Sequence, residues 1–159
     1  TIGLWGSSYL LNCKKISAGV AAACLSFYFV GVTIGRFISG VIAIKIKTDL
    51  LIKIGLGIEM VGAFCLASPL PVFLSMMGLI LIGFGSAPVF PCMTQQTTQK
   101  FGREQLGTII GLQISFGFIG STFVPPVFGW IASKLSMIIF PFVILGLLVV
   151  MLVSNKKVG

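Results

Sequence analysis

Few side chains in this sequence can do chemistry, and their types narrow what that chemistry is. There is no His, and the only acids are Asp49, Glu59 and Glu104. A zinc-type site needs a cluster of His, Cys or carboxylate ligands, and general acid–base work needs titratable groups within reach of one another. The acids present leave little material for either, so no metal, no cofactor and no enzymatic activity are expected. Cys13, Cys24, Cys65 and Cys92 have no CxxC spacing and lie in or beside apolar runs, where a cysteine behaves as a small hydrophobe.

What remains is a sparse set of polar groups inside apolar sequence. Glu59 lies near the middle of an apolar stretch, the costliest depth for a carboxylate in lipid. It reads either as a proton site facing a cavity or as a neutral structural acid. Arg36 stands about seven residues, roughly 10 Å, before the end of its apolar run. It can snorkel to the interface, or face a protein interior and serve gating. Gln113, with Ser115 and Phe116 beside it, can hydrogen-bond a hydroxylated ligand while the ring covers an apolar face. A hydrogen bond between helices is the equal alternative. Tyr28, Trp5 and Tyr9 read as interface belt or as cavity wall.

These groups must be positioned by elements that the composition defines. Of 159 residues, 57% are hydrophobic and 9% are charged, with a mean hydropathy of +1.13. A soluble globule carries about 25% charged residues to cover its surface, so this is a membrane-embedded chain. The net charge of +8 would point to nucleic acid in a soluble protein. Here lipid headgroups and topology account for it, and no nucleic acid partner is expected.

The charges mark the spans. Arg36 is the only charge between Lys15 and Lys45, Glu59 the only one between Lys53 and Lys100, and none lies between Glu104 and Lys134 or between Lys134 and Lys156. A spanning helix needs about 20 residues. Five full spans are therefore expected, at about 18–43, 48–67, 71–94, 106–131 and 136–154, with Pro69-Leu70-Pro71 breaking the second from the third. Residues 1–13 are apolar but too short to cross, and read as the end of a helix whose beginning is absent. With alternating spans, Lys45, Lys47, Lys53, Lys100, Arg103, Lys156 and Lys157 share one side and Lys14, Lys15 and Lys134 the other. The positive-inside rule then places the 44–53 loop, the 95–105 loop and the C terminus in the cytoplasm.

Glycine and proline add a second layer. Gly31-xxx-Gly35 and Gly107-xxx-Gly111 put small residues on single helix faces and predict close helix packing. Pro88 and Pro91, preceded by Gly83 and Gly85, predict a bend near 85–91. Pro125-Pro126 predict the same in the fourth span, because each proline removes a backbone donor. Two interrupted helices in five spans favour a transporter over an inert anchor.

Three segments, GVTIGRFISG (31–40), GFGSAPVFPCM (83–93) and GLQISFGFIGSTFVPPVFGWIA (111–132), resemble the C-terminal half of major facilitator superfamily transporters, the fucose-permease-like branch above all. The resemblance implies that residues 1–13 end a seventh helix and that the five spans are helices eight to twelve of an all-α polytopic bundle. It also implies a cytoplasmic C terminus, in agreement with the charge count. The family's cytoplasmic loop motif would begin at Gly40. Its Asp position falls on Ile44, its first basic position on Lys45 and its second Gly on Lys47, so no gating salt bridge can be carried over through that Asp. Arg36 matches a basic residue with a suggested role in closing the cytoplasmic side.

The third helix of each repeat tends to lie outside the bundle, which weighs against Glu59 as the coupling site. Tyr28, Gln113 and Phe116 belong to helices that usually line the cavity, whose wall Pro88 and Pro91 would shape. The resemblance implies a secondary transporter of a small polar solute, a sugar or related metabolite. It would work by alternating access in the cell membrane, usually as a proton symporter, and would need an N-terminal half that a fragment of this length lacks. The rival reading is a structural or accessory membrane subunit in which the glycine faces serve assembly.

Overall fold

The structure, a computed structural model, describes residues 1–68, 71–100 and 103–158. The Pro69-Leu70 step and the side chains of Lys100, Arg103, Glu104, Lys156 and Lys157 lie outside the described residues. The chain forms α1 (Ile2–Lys14), α2 (Ala18–Ile42), α3 (Thr48–Ala67), α4 (Val72–Ser86), α5 (Val89–Lys100), α6 (Arg103–Lys134) and α7 (Phe140–Val158). A short 3-10 turn, Met137–Ile139, leads into α7, and no strand occurs among the described residues. The protein is an all-α bundle of membrane-spanning helices.

Five stretches are long and apolar enough to cross a bilayer: Ala18–Ile42, Thr48–Ala67, Val72–Gln99, Gln105–Lys134 and Met137–Asn155. The third runs five residues past the expected end at 94. Thr94 and Thr97 sit there without breaking the helix because their hydroxyls donate back to the Phe90 and Met93 carbonyls. The ends alternate as five crossings require. At one end Asn155 Nδ2 donates to Asp49 Oδ1 at 3.3 Å, joining the close of α7 to the start of α3. At the other, Lys14 Nζ donates to the Ser68 carbonyl at 2.6 Å, joining the close of α1 to the close of α3.

The tight centre of the bundle is α4 held between α2 and α3. Lipid tails are as apolar as leucine, so burial alone gives these helices little reason to associate, and close backbone approach has to supply dispersion contact. Glycine makes that approach. A Cβ on Gly31 would collide with the Ile80 carbonyl, and one on Gly83 with the Tyr28 carbonyl. On the α3 side, a Cβ on Gly62 would lie 2.7 Å from the Gly78 carbonyl, and one on Gly78 would lie 2.8 Å from the Gly62 carbonyl. Gly107 and Gly111, by contrast, meet nothing within 4 Å. The expected close packing holds for the first glycine pair and fails for the second, because α6 buries residues only near its far end, at Pro125, Phe128 and Ala132, and the turns that carry Gly107 and Gly111 have no buried residue.

The prolines divide in the same way. At the bend expected near 85–91 the helix is interrupted: α4 ends at Ser86, Ala87 and Pro88 form a turn in which Ala87 keeps helical backbone angles, and α5 starts at Val89. Pro88 has no N–H for the Phe84 carbonyl, and that carbonyl is turned onto the backbone of Gly35, where a Cβ would come within 2.7 Å. Pro125 and Pro126 do not interrupt α6, which runs through them to Lys134. The fixed φ of proline is itself helical, and the neighbourhood supports this stretch. Trp5 Nε1 donates to the Pro125 carbonyl at 3.0 Å, and the indole packs on Gly129 and edge-on to Phe128, centroids 5.8 Å apart. Phe128, Phe140 and Tyr9 continue this aromatic chain at 5.3 Å steps, and the Tyr9 hydroxyl donates to the Leu66 carbonyl. Trp5 and Tyr9 tie α1 to α6, α7 and α3.

Candidate functional site

The break between α4 and α5 builds the site. Beside the turn at Ala87-Pro88, a cavity of about 750 Å³ lies between the end of α2 and the start of α5. Its lining includes Arg36, Ser39 and Gly40 from α2 and Phe90, Pro91 and Gln95 from α5. Arg36, Gly40 and Pro91, singled out separately in the sequence, therefore share one space. Arg36 is exposed there, and no ion pair joins it to an acid among the described residues. Pro88 is buried one step behind, against Gly55 of α3.

Tyr28 is half-buried two turns above Arg36 on α2. Ser86, Glu59 and Arg36 are in the surroundings of its hydroxyl. The Ser86 hydroxyl donates to the Gly83 carbonyl at 3.0 Å, which holds it at the last turn of α4. Glu59 faces neither lipid nor an open cavity. It is 9% exposed, inside the contact between α3 and α4. A Cβ on Gly85 would come 2.7 Å from the Glu59 nitrogen and 3.0 Å from its Cβ. No hydrogen bond or ion pair to the carboxyl is present among the described residues. The helix carrying it can be peripheral in the bundle while this face points inward.

Gln113 occupies a different place. Thr97 Oγ1 also lies 3.1 Å from Gln113 Oε1 across α5 and α6, sharing its one proton between that oxygen and the Met93 carbonyl, so a helix-to-helix hydrogen bond joins the two helices. Beside it opens a second cavity of about 380 Å³, lined by Ile52, Leu56, Met93, Leu112 and Met151, with Gln96, Gln113 and Asn155 as polar members. Phe116 lies on α6, 69% exposed, and Pro125 and Pro126 sit by Trp5; none of these three lines either cavity. Tyr28, Gln113 and Phe116 are not gathered into one cavity within this chain.

Several participants went unremarked in the sequence. Ser86 and Thr97 look like ordinary helix hydroxyls, and only their partners give them a place. The Asp49–Asn155 link, with Lys53 Nζ on Asp49 at 2.6 Å, joins residues 106 positions apart and has no local signature. Gly55, Glu59, Gly62 and Leu66 recur at helical spacing, a stripe that would have located Glu59 on a packed face.

A multi-pass helical bundle, broken mid-membrane by proline beside a polar cavity, has the architecture of a solute carrier. The Major Facilitator Superfamily model matches residues 3–155, and the chain belongs to that family of multi-pass membrane transporters of small solutes, whose members are generally not enzymes. No curated protein and no solved structure matches the chain.

Proposed function

We propose that this chain is the C-terminal half, helices eight to twelve with the end of helix seven, of a fucose-permease-like symporter. It carries a small polar solute, a sugar or related metabolite, across the cell membrane by alternating access. The observation that carries the reading is the cavity of about 750 Å³ beside the α4–α5 break in a chain of this family. Its polar side is mainly uncharged, with Ser39 and Gln95 able both to donate to and accept from hydroxyls. Arg36 adds a cation at the mouth. Tyr28, Gln113 and Phe116 reach the solute from the face completed by an N-terminal helical half, the partner this reading requires. The basic 44–53 loop and the C terminus lie in the cytoplasm, and a proton gradient drives uptake.

The test is uptake of a panel of radiolabelled neutral sugars by the full-length protein in lipid vesicles under an inward proton gradient. Saturable uptake above empty vesicles is expected for at least one sugar, with about a tenfold loss in Gln113→Leu, the scale of one hydrogen bond of about 1.4 kcal/mol. Vesicles that take up no sugar, while the protein is folded, overturn the reading.

A further inference from the structure

We infer that Glu59 is a proton-binding site whose loading is tied to the α4–α5 joint: the neutral carboxyl belongs to the closed packing, and release of its proton opens the joint. This deepens the transport reading and rests on it for its purpose, though the geometry stands by itself. Four observations carry it.

Glu59 is eleven residues into α3, roughly 16 Å from its start and so near mid-membrane. It is nine-tenths buried, and no donor reaches it among the described residues. An ionised carboxyl at that place has little solvent and no hydrogen bond among the described residues to stabilise it, which disfavours the charged form. Its backbone and Cβ bear directly on Gly85, two residues before the turn at Ala87-Pro88. One helical turn away on the same face of α3, a Cβ on Gly55 would lie 3.0 Å from Pro88 Cγ. The Gly55–Glu59 face therefore spans the joint and fits it only while the two helices stay pressed together.

The opposite flank of the joint is polar. Tyr28 lies there, with Ser86, Glu59 and Arg36 in the surroundings of its hydroxyl. Tyr28 and Arg36 are the titratable groups that α2 turns toward the region. α4 contributes the uncharged Ser86 hydroxyl, and the α5 segment from Val89 to Gln99 contributes no charge, only the buried thiol of Cys92. α7 has no acid or base between Phe140 and Asn155, and Asp49 and Lys53 of α3 are occupied with each other at the far end. When the carboxyl O–H bond breaks, the proton passes to water entering from the Arg36 cavity. The carboxylate left behind is stabilised by that water. Closure reverses both steps.

Cys92 reports on the joint, because it is buried in α5 and lines the Arg36 cavity. The experiment uses the full-length protein in lipid vesicles with Cys13, Cys24 and Cys65 replaced by Ala, and follows Cys92 alkylation by a membrane-permeant maleimide. Relative to Glu59→Gln, which is permanently neutral, the wild-type rate is expected to rise about tenfold between about pH 5.5 and about pH 8.5, the change one unit of proton linkage gives. Infrared difference spectra at the lower pH should show a protonated-carboxyl band that Glu59→Gln removes. Parallel rate profiles, or a band unaffected by the substitution, overturn the proposal. If Glu59→Gln does not fold, a variant retaining only Cys13 supplies the reference profile, and Cys92 must still steepen against it. No uptake of any sugar with the Cys92 response intact defeats the transport reading alone; uptake with parallel Cys92 profiles defeats the proton site alone.

Discussion

Two small-residue motifs of the same form end in opposite situations. Gly31 and Gly35 are buried against the backbone of α4, close enough that a Cβ on either would collide with a carbonyl or press on Ala87. Gly107 and Gly111, on α6, have open space where a Cβ would go. The motif permits close approach and does not cause it; what decides is whether a facing helix also carries glycine in register. α4 does, with Gly78, Gly83 and Gly85 turned toward α3 and α2. α5, the main neighbour of α6, carries none. The first region is held backbone to backbone, and the second by side chains at its two ends.

The largest effect should come from breaking the first region. In Gly83→Val the new side chain would meet the Tyr28 carbonyl and the Val32 nitrogen, both backbone atoms that no rotamer change can move aside. Overpacking of this kind costs about 3 kcal/mol at the upper end of the usual range. Thermal unfolding in detergent should show a large drop in midpoint or a loss of folded protein. Gly111→Val should stay within about 0.5 kcal/mol of the parent, as surface substitutions do. Equal losses at the two sites would erase the contrast.

How far the sequence carries this picture depends on the kind of signal. The spans were legible because charges are so costly in lipid that Lys15, Lys45, Lys53, Lys100 and Lys134 act as boundary posts. The break at Pro88 was legible because a lost donor is a local fact. Pro125-Pro126 carry the same local fact and α6 continues, because Trp5, 120 positions away, supports that turn. The facing of Glu59 could not be read from hydropathy, which gives depth and not azimuth; only the helical spacing of Gly55, Glu59, Gly62 and Leu66 carried it. The cavity's grouping of Arg36, Gly40 and Pro91 depends on how α2 and α5 are placed against each other, which no run of residues announces. Local chemistry reads from the chain; its pairing across helices does not.

A smaller effect tests the anchor at the Trp5 end of α6. Trp5→Phe keeps most of the aromatic contact with Phe128 and removes the donor to the Pro125 carbonyl. A single hydrogen bond contributes about 1 kcal/mol net. The donors that the two prolines lack belong to the Ser121 and Thr122 carbonyls one turn earlier, so the indole adds a second donor at the Pro125 carbonyl and ties the weakened stretch to α1. The expected result is a loss of about 1 kcal/mol, with faster amide exchange confined to the turn around Pro125. Exchange that rises evenly along α6 would mean the indole is not what supports the helix there.

The smallest effect concerns the other anchor and sharpens the contrast most. Thr97 and Gln113 share one hydrogen bond between α5 and α6, and such bonds in membranes average about 0.6 kcal/mol by double-mutant cycles. Thr97→Val, Gln113→Leu and the pair together should return a coupling of about that size in unfolding. The same cycle run on sugar uptake separates the two uses of Gln113. If it serves only the helix contact, uptake follows stability and Thr97→Val is as harmful as Gln113→Leu. If it also meets the solute, Gln113→Leu raises the half-saturating sugar concentration while Thr97→Val leaves it in place, because valine takes nothing from the amide's remaining donors. A helix fixed mainly at its ends, as α6 is, leaves its middle turns free to change neighbours, and a residue that trades a helix contact for a solute is best placed on such a helix.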